Sequence, residues 1–401
     1  MGFIVQKFGG TSVADKNRLE SVANIIEKTY REGNDIVVVV SAQGDMTDIL
    51  INKAKEVSAK PSQREMDVLL ASGEQVSISL LAMTLEKRAI PVVSLLGWQA
   101  GVITDSVHGY AKICKINYER IRKELDKKNV VIVAGFQGVD RYDDVTTLGR
   151  GGSDTSAVAI AAAMRADKCQ IYTDVEGVYT ADPRVVPGAI KLSEVSYEVM
   201  LELATLGAKV LNNRSVEMAW KHNVIMEVLS SMNDTAGTIV KEGSTVENLL
   251  INGVTKDENV ARVSVMGVPD IPGCAFRLFS LLATRGIHVD IILQSTGCNN
   301  TKDIVFTLTK DQLKDAVDFL NSDECVLRHG GVTFDSHVAK VSIVGCAVES
   351  HHDVATQMFE ALYEANVNIQ MISTSEIKVS VLIDEDELDK AVRVVHQKFF
   401  G

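Results

Sequence analysis

The sequence predicts an α/β protein: a three-layer domain built on a mainly parallel sheet, followed by two small ferredoxin-like βαββαβ modules. Three observations carry this. Continuous apolar runs such as Asp35–Ser41 (DIVVVVS) and Val130–Phe136 (VVIVAGF) have the composition of strands buried on both faces. Those runs alternate with helical periodicity as far as Ser231, the rhythm of a sheet layered by helices. Beyond a polar, turn-rich stretch at 233–256, residues 260–295 and 338–374 repeat one another at an offset of about eighty residues.

Residues 3–8 read as a strand closed by Gly9-Gly10. Asp15 is placed to cap a helix whose apolar positions, Leu19, Val22, Ile26 and Tyr30, recur at helical spacing, and Gly33 ends it. The run 35–41 is the next strand. A helix follows near 65–88, then strands at Ile90–Leu96 and Val130–Phe136. Helices near 155–166, 196–206 and 213–222 flank a strand at Gln170–Thr173. In the repeat, Val260-Ala-Arg-Val-Ser matches Val338-Ala-Lys-Val-Ser, Phe279-Ser-Leu-Leu matches Phe359-Glu-Ala-Leu, and Ile287–Ile291 matches Val367–Met371. Each copy reads strand, glycine turn, helix, strand, strand, helix, strand.

Composition narrows the function classes. With 46% apolar and 23% charged residues, the 401-residue chain has the balance of a soluble globular protein of two or three domains, which excludes a disordered one. A net charge of −12 without a Lys/Arg run argues against a nucleic-acid partner. Cys114, Cys169, Cys274, Cys298, Cys325 and Cys346 form no CxxC and no His-paired spacing, so zinc is not expected and no metal ligand set is assigned. Scattered thiols and the absence of a signal-like N-terminus point to a cytoplasmic protein. No apolar run approaches the ~18 residues of a membrane span. His351-His352 reads as a turn rather than a metal pair, because neighbouring helical residues point different ways.

Three glycine-bearing loops follow strands: Lys7–Ser12, Ser41–Thr47 and Thr147–Asp154, the last opening a helix. Ligands of parallel α/β sheets bind beyond the carboxyl ends of the strands. Glycines let the backbone approach a phosphate, and helix-start N–H groups stabilise anions. Lys7 and Arg150 add positive charge to that edge. Neither GxxxxGK[ST] nor GxGxxG is present, so the phosphate-binding logic is not that of a P-loop or a dinucleotide fold. Alone, Lys7 could be a surface lysine, Asp154 the cap of the following helix, Glu74 a first-turn carboxylate and Arg184 a loop cation.

Val5–Val13 (VQKFGGTSV), Thr147–Ser156 (TLGRGGSDTS), Thr173–Pro187 (TDVEGVYTADPRVVP), Gly207–Leu211 (GAKVL) and Ile369–Ser375 (IQMISTS) resemble, in order, the signatures of aspartokinases. These are enzymes of the amino acid kinase fold carrying paired C-terminal ACT domains. The resemblance implies transfer of the γ-phosphoryl group of MgATP to the β-carboxylate of L-aspartate, the first step towards lysine, threonine and methionine. It implies Lys7 and Asp154 as catalytic groups, Lys7 bridging the moving phosphoryl and Asp154 orienting it. Gly9, Gly10, Ser12, Thr173, Asp174, Tyr179, Asp182, Arg184 and Lys209 would hold the nucleotide. Thr47, Glu74, Arg150 and Ser153 would hold aspartate, with Glu74 on the ammonium and Arg150 on a carboxylate. Magnesium would arrive with ATP.

The same resemblance implies feedback inhibition by lysine, threonine or both, through an effector site of Asp270, Gly273, Ala275, Gln294, Asn368 and Ile369. It implies a homo-oligomer joined through the ACT domains, with no membrane partner. It divides the chain into a kinase domain at 1–245, a first ACT domain at 262–335, and a second assembled from 246–261 and 336–401. Departures from the family pattern are Asp45 in SAQGDMTD, Asn212-Asn213 where His-Pro is usual, and Ser350-His-His-Asp-Val where a Pro-Gly turn is usual. The first two support the alternative of a catalytically degraded amino-acid sensor. A different kinase of the same fold, for N-acetylglutamate or uridylate, is disfavoured by KFGGTS and the repeat.

Overall fold

The computed structural model describes residues 2–401 except 209, 244–250, 296–299, 323–328 and 346–352. The chain forms two compact units: Met1–Tyr179 with Ile190–Glu247, and Thr180–Ala189 with Asn248–Gly401.

The first unit runs β1 (Phe3–Phe8), α1 (Lys16–Arg31), β2 (Asp35–Val40), α2 (Met46–Val57), α3 (Gln63–Glu86), β3 (Val92–Leu95), β4 (Val102–Thr104), β5 (Ile113–Ile116), α4 (Glu119–Asp126), β6 (Val130–Ala134), β7 (Gln137–Val139), β8 (Val145–Thr147), α5 (Gly152–Met164), β9 (Lys168–Thr173), β10 (Glu194–Ser196), α6 (Tyr197–Thr205), α7 (Asn213–His222), β11 (Met226–Ser230) and β12 (Thr238–Lys241). Among the described residues its main sheet has the order β10-β12-β11-β9-β1-β2-β6-β3. The strands from β11 to β3 are parallel, and β12 is antiparallel to β11. Ile36, Val38 and Val40 of β2 join one buried cluster with Leu19, Val22 and Ile26 of α1 and Ile78, Leu81 and Leu85 of α3. Helix α5, nearly all of whose side chains are buried, packs against β1, β2 and β9, which completes the three layers. Asp15 accepts from the Arg18 N–H at the start of α1, as its position predicts.

A second, four-stranded sheet, β5-β4-β7-β8, lies outside the predicted pattern. Its strands are three or four residues long, too short for an alternation to register. Helix α5 begins three residues earlier than the periodicity indicates, because Gly152 and Ser153 are already helical. Helix α3 is long and apolar enough to cross a membrane by length and composition, contrary to the expectation that no such run exists. It buries Asp67 and Glu74 as well as its apolar face, and packs against α1, α2, β3 and β6 as a core helix.

The second unit comprises β13 (Ile251–Pro269), α8 (Cys274–Thr284), β14 (Ile292–Gln294), β15 (Thr301–Leu308), α9 (Lys310–Leu320), β16 (Gly331–Gly345), α10 (Asp353–Glu364), β17 (Met371–Ser375), β18 (Lys378–Asp384) and α11 (Leu388–Phe400). Its strands form one antiparallel sheet in the order β14-β15-β13-β16-β18-β17. The long strands β13 and β16 serve both repeats. Val263–Met266 pair with Gly331–Phe334, and Ile251–Asp257 pair with Lys340–Gly345, with register shifts around Val260. Leu278, Leu282 and Phe306 centre one buried cluster, and Val341, Met358, Leu362 and Val395 centre the other. Thr180–Ala189, within the stretch 1–245, belongs to this unit: Ala181 and Val186 are buried in the second cluster. The Thr180 carbonyl accepts from the Val254 N–H at 2.7 Å.

Candidate active site

Strands β1, β2, β6, β9 and β11 run parallel, so the segments after Phe8, Val40, Ala134, Thr173 and Ser230 share one edge of the sheet. Phe8 enters the cluster with α1 and α3, and the two-residue period turns Lys7 towards α5. There its Nζ lies 2.6 Å from Asp154 Oδ1, with both side chains about nine-tenths buried. Asp154 sits in the first turn of α5, where helix N–H groups favour negative charge. The pair couples the end of a core strand to the start of a core helix.

The first two loops interlock. The Gly44 N–H donates to the Gly10 carbonyl at 3.0 Å, and a Cβ at Gly10 would lie 2.6 Å from the Ala42 carbonyl oxygen. Only glycine permits that approach. Gly9 donates to the Tyr172 carbonyl at 3.3 Å, next to Lys7. Ser12 is buried and its hydroxyl donates to Ser231 Oγ at 2.7 Å. Ser231 Oγ in turn donates to the Thr173 carbonyl at 3.1 Å. The Ser12 side chain is thus committed to joining the first loop to β9. Its backbone N–H bonds the Gly9 carbonyl.

Glu74 is buried on α3, where its Oε1 accepts from the Ala42 N–H at 3.0 Å and its Oε2 has no partner. Burial pushes its carboxyl up to about 8, against the lowering by the Ala42 hydrogen bond. An unpartnered buried carboxylate oxygen calls for a cation or a proton. Thr47 lies half-buried in the first turn of α2 and Ser153 buried in that of α5. Arg150 is exposed on the loop before α5, and its guanidinium makes no hydrogen bond or ion pair among the described residues. Asp45 is exposed at the start of α2 and does not cap it.

Asn212 caps α7 with a side-chain oxygen that accepts from the Arg214 N–H at 3.0 Å, while its Nδ2 donates to the Arg150 carbonyl at 3.2 Å. The absence of proline here therefore does not leave a loose turn: the amide stitches it.

Of the nucleotide candidates, Thr173 ends β9 and Asp174 follows it, and Thr173 Oγ1 donates to Asp174 Oδ1 at 3.0 Å. Tyr179 bonds Glu176 through its hydroxyl and pairs with Lys191 across a lone bridge. Asp182 and Arg184 lie on the segment belonging to the second unit and pair with each other at 2.8 Å, which holds the Asp182 carboxyl low. Lys209 lies outside the described residues, as do His351, His352 and Ser350.

In the second unit Asp270 follows β13 and is engaged by Lys302 Nζ at 2.9 Å. Nothing in the sequence singles out Lys302. Gly273 is left-handed (φ +95°) just before α8, and Ala275 is in that helix's first turn. Gln294 ends β14, and Asn368 and Ile369 precede β17. Those two strands are opposite edges of the sheet. At about 4.8 Å per strand they stand roughly 24 Å apart. One chain does not bring these predicted effector residues together.

Among the described residues, two groups place three metal-capable donors within 4.8 Å: His108, Asp140 and Asp144, and His337, Asp384 and Asp386. Asp144 is engaged by Arg64. The second group is exposed and its members pair with one another.

Residues 2–230 match the amino acid kinase family and residues 341–399 an ACT domain. An aspartokinase of Bacillus sp. (strain MGA3) is 48% identical over 400 residues, spanning 100% of this chain and 97% of that relative. E. coli aspartokinase III in complex with aspartate and ADP (R-state) superposes with a TM-score of 0.85 at 24% identity, 100% of each chain being covered. The same enzyme in complex with lysine and aspartate (T-state) gives 0.77 at 25% identity, again over 100% of each chain. With the edge that carries Lys7, Asp154 and Glu74, and full-length identity near one half, the chain belongs to the aspartokinases, enzymes of the amino acid kinase family with a C-terminal ACT region.

Proposed function

We propose that this enzyme transfers the γ-phosphoryl group of MgATP to the β-carboxylate of L-aspartate, giving 4-phospho-L-aspartate and ADP. The observation that carries this is the buried Lys7–Asp154 pair at the N-terminus of α5, on the same sheet edge as a buried carboxylate with a free oxygen. Two anions must meet in such a reaction, so charge neutralisation and positioning dominate. In this reading Lys7 bridges the transferring group and Asp154 fixes the lysine. The Gly9–Gly10 loop and the α5 start receive phosphate oxygens, through N–H groups other than those of Gly9, Gly152 and Asp154, which bond carbonyls of the protein itself. Glu74 takes the substrate ammonium, Arg150 a carboxylate, and Thr47 and Ser153 close the pocket. The substrate carboxylate is ionised near neutral pH, so it attacks phosphorus directly while ADP leaves, and no base is required.

Thr173, Asp174, Tyr179, Asp182, Arg184 and Lys209 are assigned to the nucleotide. Magnesium would come with ATP.

The domain limits we assign are 1–245, 262–335, and 246–261 with 336–401. Lysine, threonine or both would act as feedback inhibitors at Asp270, Gly273, Ala275 and Gln294 of one chain with Asn368 and Ile369 of a second copy. The opposite placement of β14 and β17 supports this, since an edge strand of one sheet is open to pair with that of another. A homo-oligomer joined through the ACT sheets follows, and we place the enzyme in the cytoplasm.

The test is ADP release with ATP, Mg²⁺ and L-aspartate, with and without lysine, threonine or both. Aspartate-dependent turnover that falls with an added amino acid supports the reading. Absent turnover with retained lysine or threonine binding would favour a sensor.

A further inference from the structure

Asp67 is a fully buried carboxylate on α3, two helical turns before Glu74 and on the same face. No role in the reaction above uses it, yet it gathers three separate donors. The Gly109 N–H lies 3.0 Å from both of its oxygens. Thr147 Oγ1 donates to Oδ1 at 2.5 Å, and His108 Nδ1 is 2.9 Å from Oδ2. Thr147 is the last residue of β8, three positions before Arg150. His108 and Gly109 belong to the loop between β4 and β5.

The same two segments are fastened at further points. The Ala111 N–H donates to the Thr147 carbonyl at 2.9 Å. Arg214 donates to the Leu148 carbonyl at 2.6 Å and to the Ala111 carbonyl at 3.1 Å. Gly149 has φ +78°, and a Cβ there would lie 3.2 Å from the Gly109 carbonyl oxygen and 3.4 Å from the Tyr110 ring. The 108–111 loop is therefore the floor on which the Arg150 loop rests, and Asp67 anchors both to α3. Arg150 itself has no partner in the described structure to fix it, so the backbone beneath it must supply its position.

We propose that Asp67 is a positioning residue for aspartate binding: through Thr147 and the Gly109 loop it fixes the backbone that presents Arg150 to a substrate carboxylate. This rests on the reading of Arg150 as the carboxylate ligand. A carboxylate suits the task because it accepts from an amide, a hydroxyl and an imidazole at once, and bonds to a charged acceptor are the stronger kind. An asparagine keeps one acceptor and turns an NH2 donor towards groups that also donate.

The test compares Thr147→Val, Thr147→Ser, Asp67→Asn and Arg150→Ala. Thr147→Val conserves shape and removes one donor, so it keeps the question answerable if Asp67→Asn fails to fold. The aspartate KM should rise roughly tenfold in Thr147→Val, what one lost hydrogen bond to a charged group is worth, and return in Thr147→Ser. kcat and the ATP KM should change much less, because a carboxylate grip acts on ground and transition states alike. Amide hydrogen exchange across 148–152 should quicken in Thr147→Val and be normal in Thr147→Ser. Raised aspartate KM in Arg150→Ala, with parental KM and exchange in Thr147→Val, overturns the proposal and keeps the substrate reading. Parental KM in Arg150→Ala sinks the substrate reading and the proposal with it, and faster exchange in Thr147→Val would then mark Asp67 as a fold anchor alone.

Discussion

Lys7 and Asp154 are 147 positions apart in sequence and 2.6 Å apart in space, a lysine ammonium held by a carboxylate in a largely dehydrated pocket. In the proposed reaction, a lysine held in this way leaves little reorganisation for the transition state. Lys7→Ala and Asp154→Asn should each lower kcat by on the order of 10²-fold or more. Their aspartate KM should change far less. Steady-state kinetics on both variants checks this, and parental turnover in both would remove the pair from the reaction.

If Glu74 takes the substrate ammonium, as proposed, the reaction acquires a pH signature. Its carboxyl is pushed up to about 8 by burial, so below that pH the free enzyme carries it protonated and unable to pair with an ammonium. The aspartate KM should fall as pH rises from 6 to 9, and Glu74→Gln should flatten that dependence while raising KM. The stability linkage has the same origin. A carboxyl whose folded pKa is raised contributes stability fully below its unfolded value near 4.5, and this is lost as pH climbs through about 8. Thermal unfolding of the ligand-free enzyme should therefore show Glu74→Gln gaining on the parent as pH increases across that window.

Gly10 tests the interlocked loops. Gly10→Ala would push a methyl into the Ala42 carbonyl, displacing the strand end that bears Lys7 and the loop whose N–H holds Glu74. A loss of about 1–3 kcal/mol of stability is expected, the cost of overpacking. Turnover should fall with it. Denaturant unfolding and kinetics on the one variant read both, and parental stability in Gly10→Ala would show that the loops yield.

The proposed effector site is tested by mixing. Gln294→Ala and Asn368→Ala should each weaken inhibition by the effector. If the site joins the two opposite sheet edges of different copies, a hybrid of the two variants regenerates one unmutated site per pair. Partial recovery of sensitivity on mixing is the expected result, and additive loss places both residues in one chain's site. Asp270→Ala should raise the half-inhibiting concentration by up to about fivefold, since a partly exposed charge contact is worth about 0.2–1 kcal/mol.

Much of this architecture was legible in the residues. Strands β2 and β6 announce themselves because a strand buried on both faces has no reason to alternate, and α1 is bounded by its Asp15 cap. The repeat gave the two ACT modules. The β4–β8 hairpins escaped notice because strands of three or four residues carry no periodicity. Asp67 escaped because a carboxylate inside a helical pattern reads as a solvent-facing residue until its three donors, 41, 42 and 80 positions away, are seen. Lys302 opposite Asp270 and Ser231 opposite Ser12 are likewise pairings between segments, which composition does not encode.

The assignment of Thr180–Ala189 to the second unit means the backbone passes from one unit to the other three times, at 179/180, 189/190 and 247/248. Neither unit is a cassette that a single cut could release. A fragment stopping at residue 245 would strip Ala181 and Val186 of the apolar neighbours that cover them. One starting at 248 would lack those two plugs and the Thr180 hydroxyl that meets His396 Nε2 at 2.8 Å. The second unit is woven into the sequence of the first rather than appended to it.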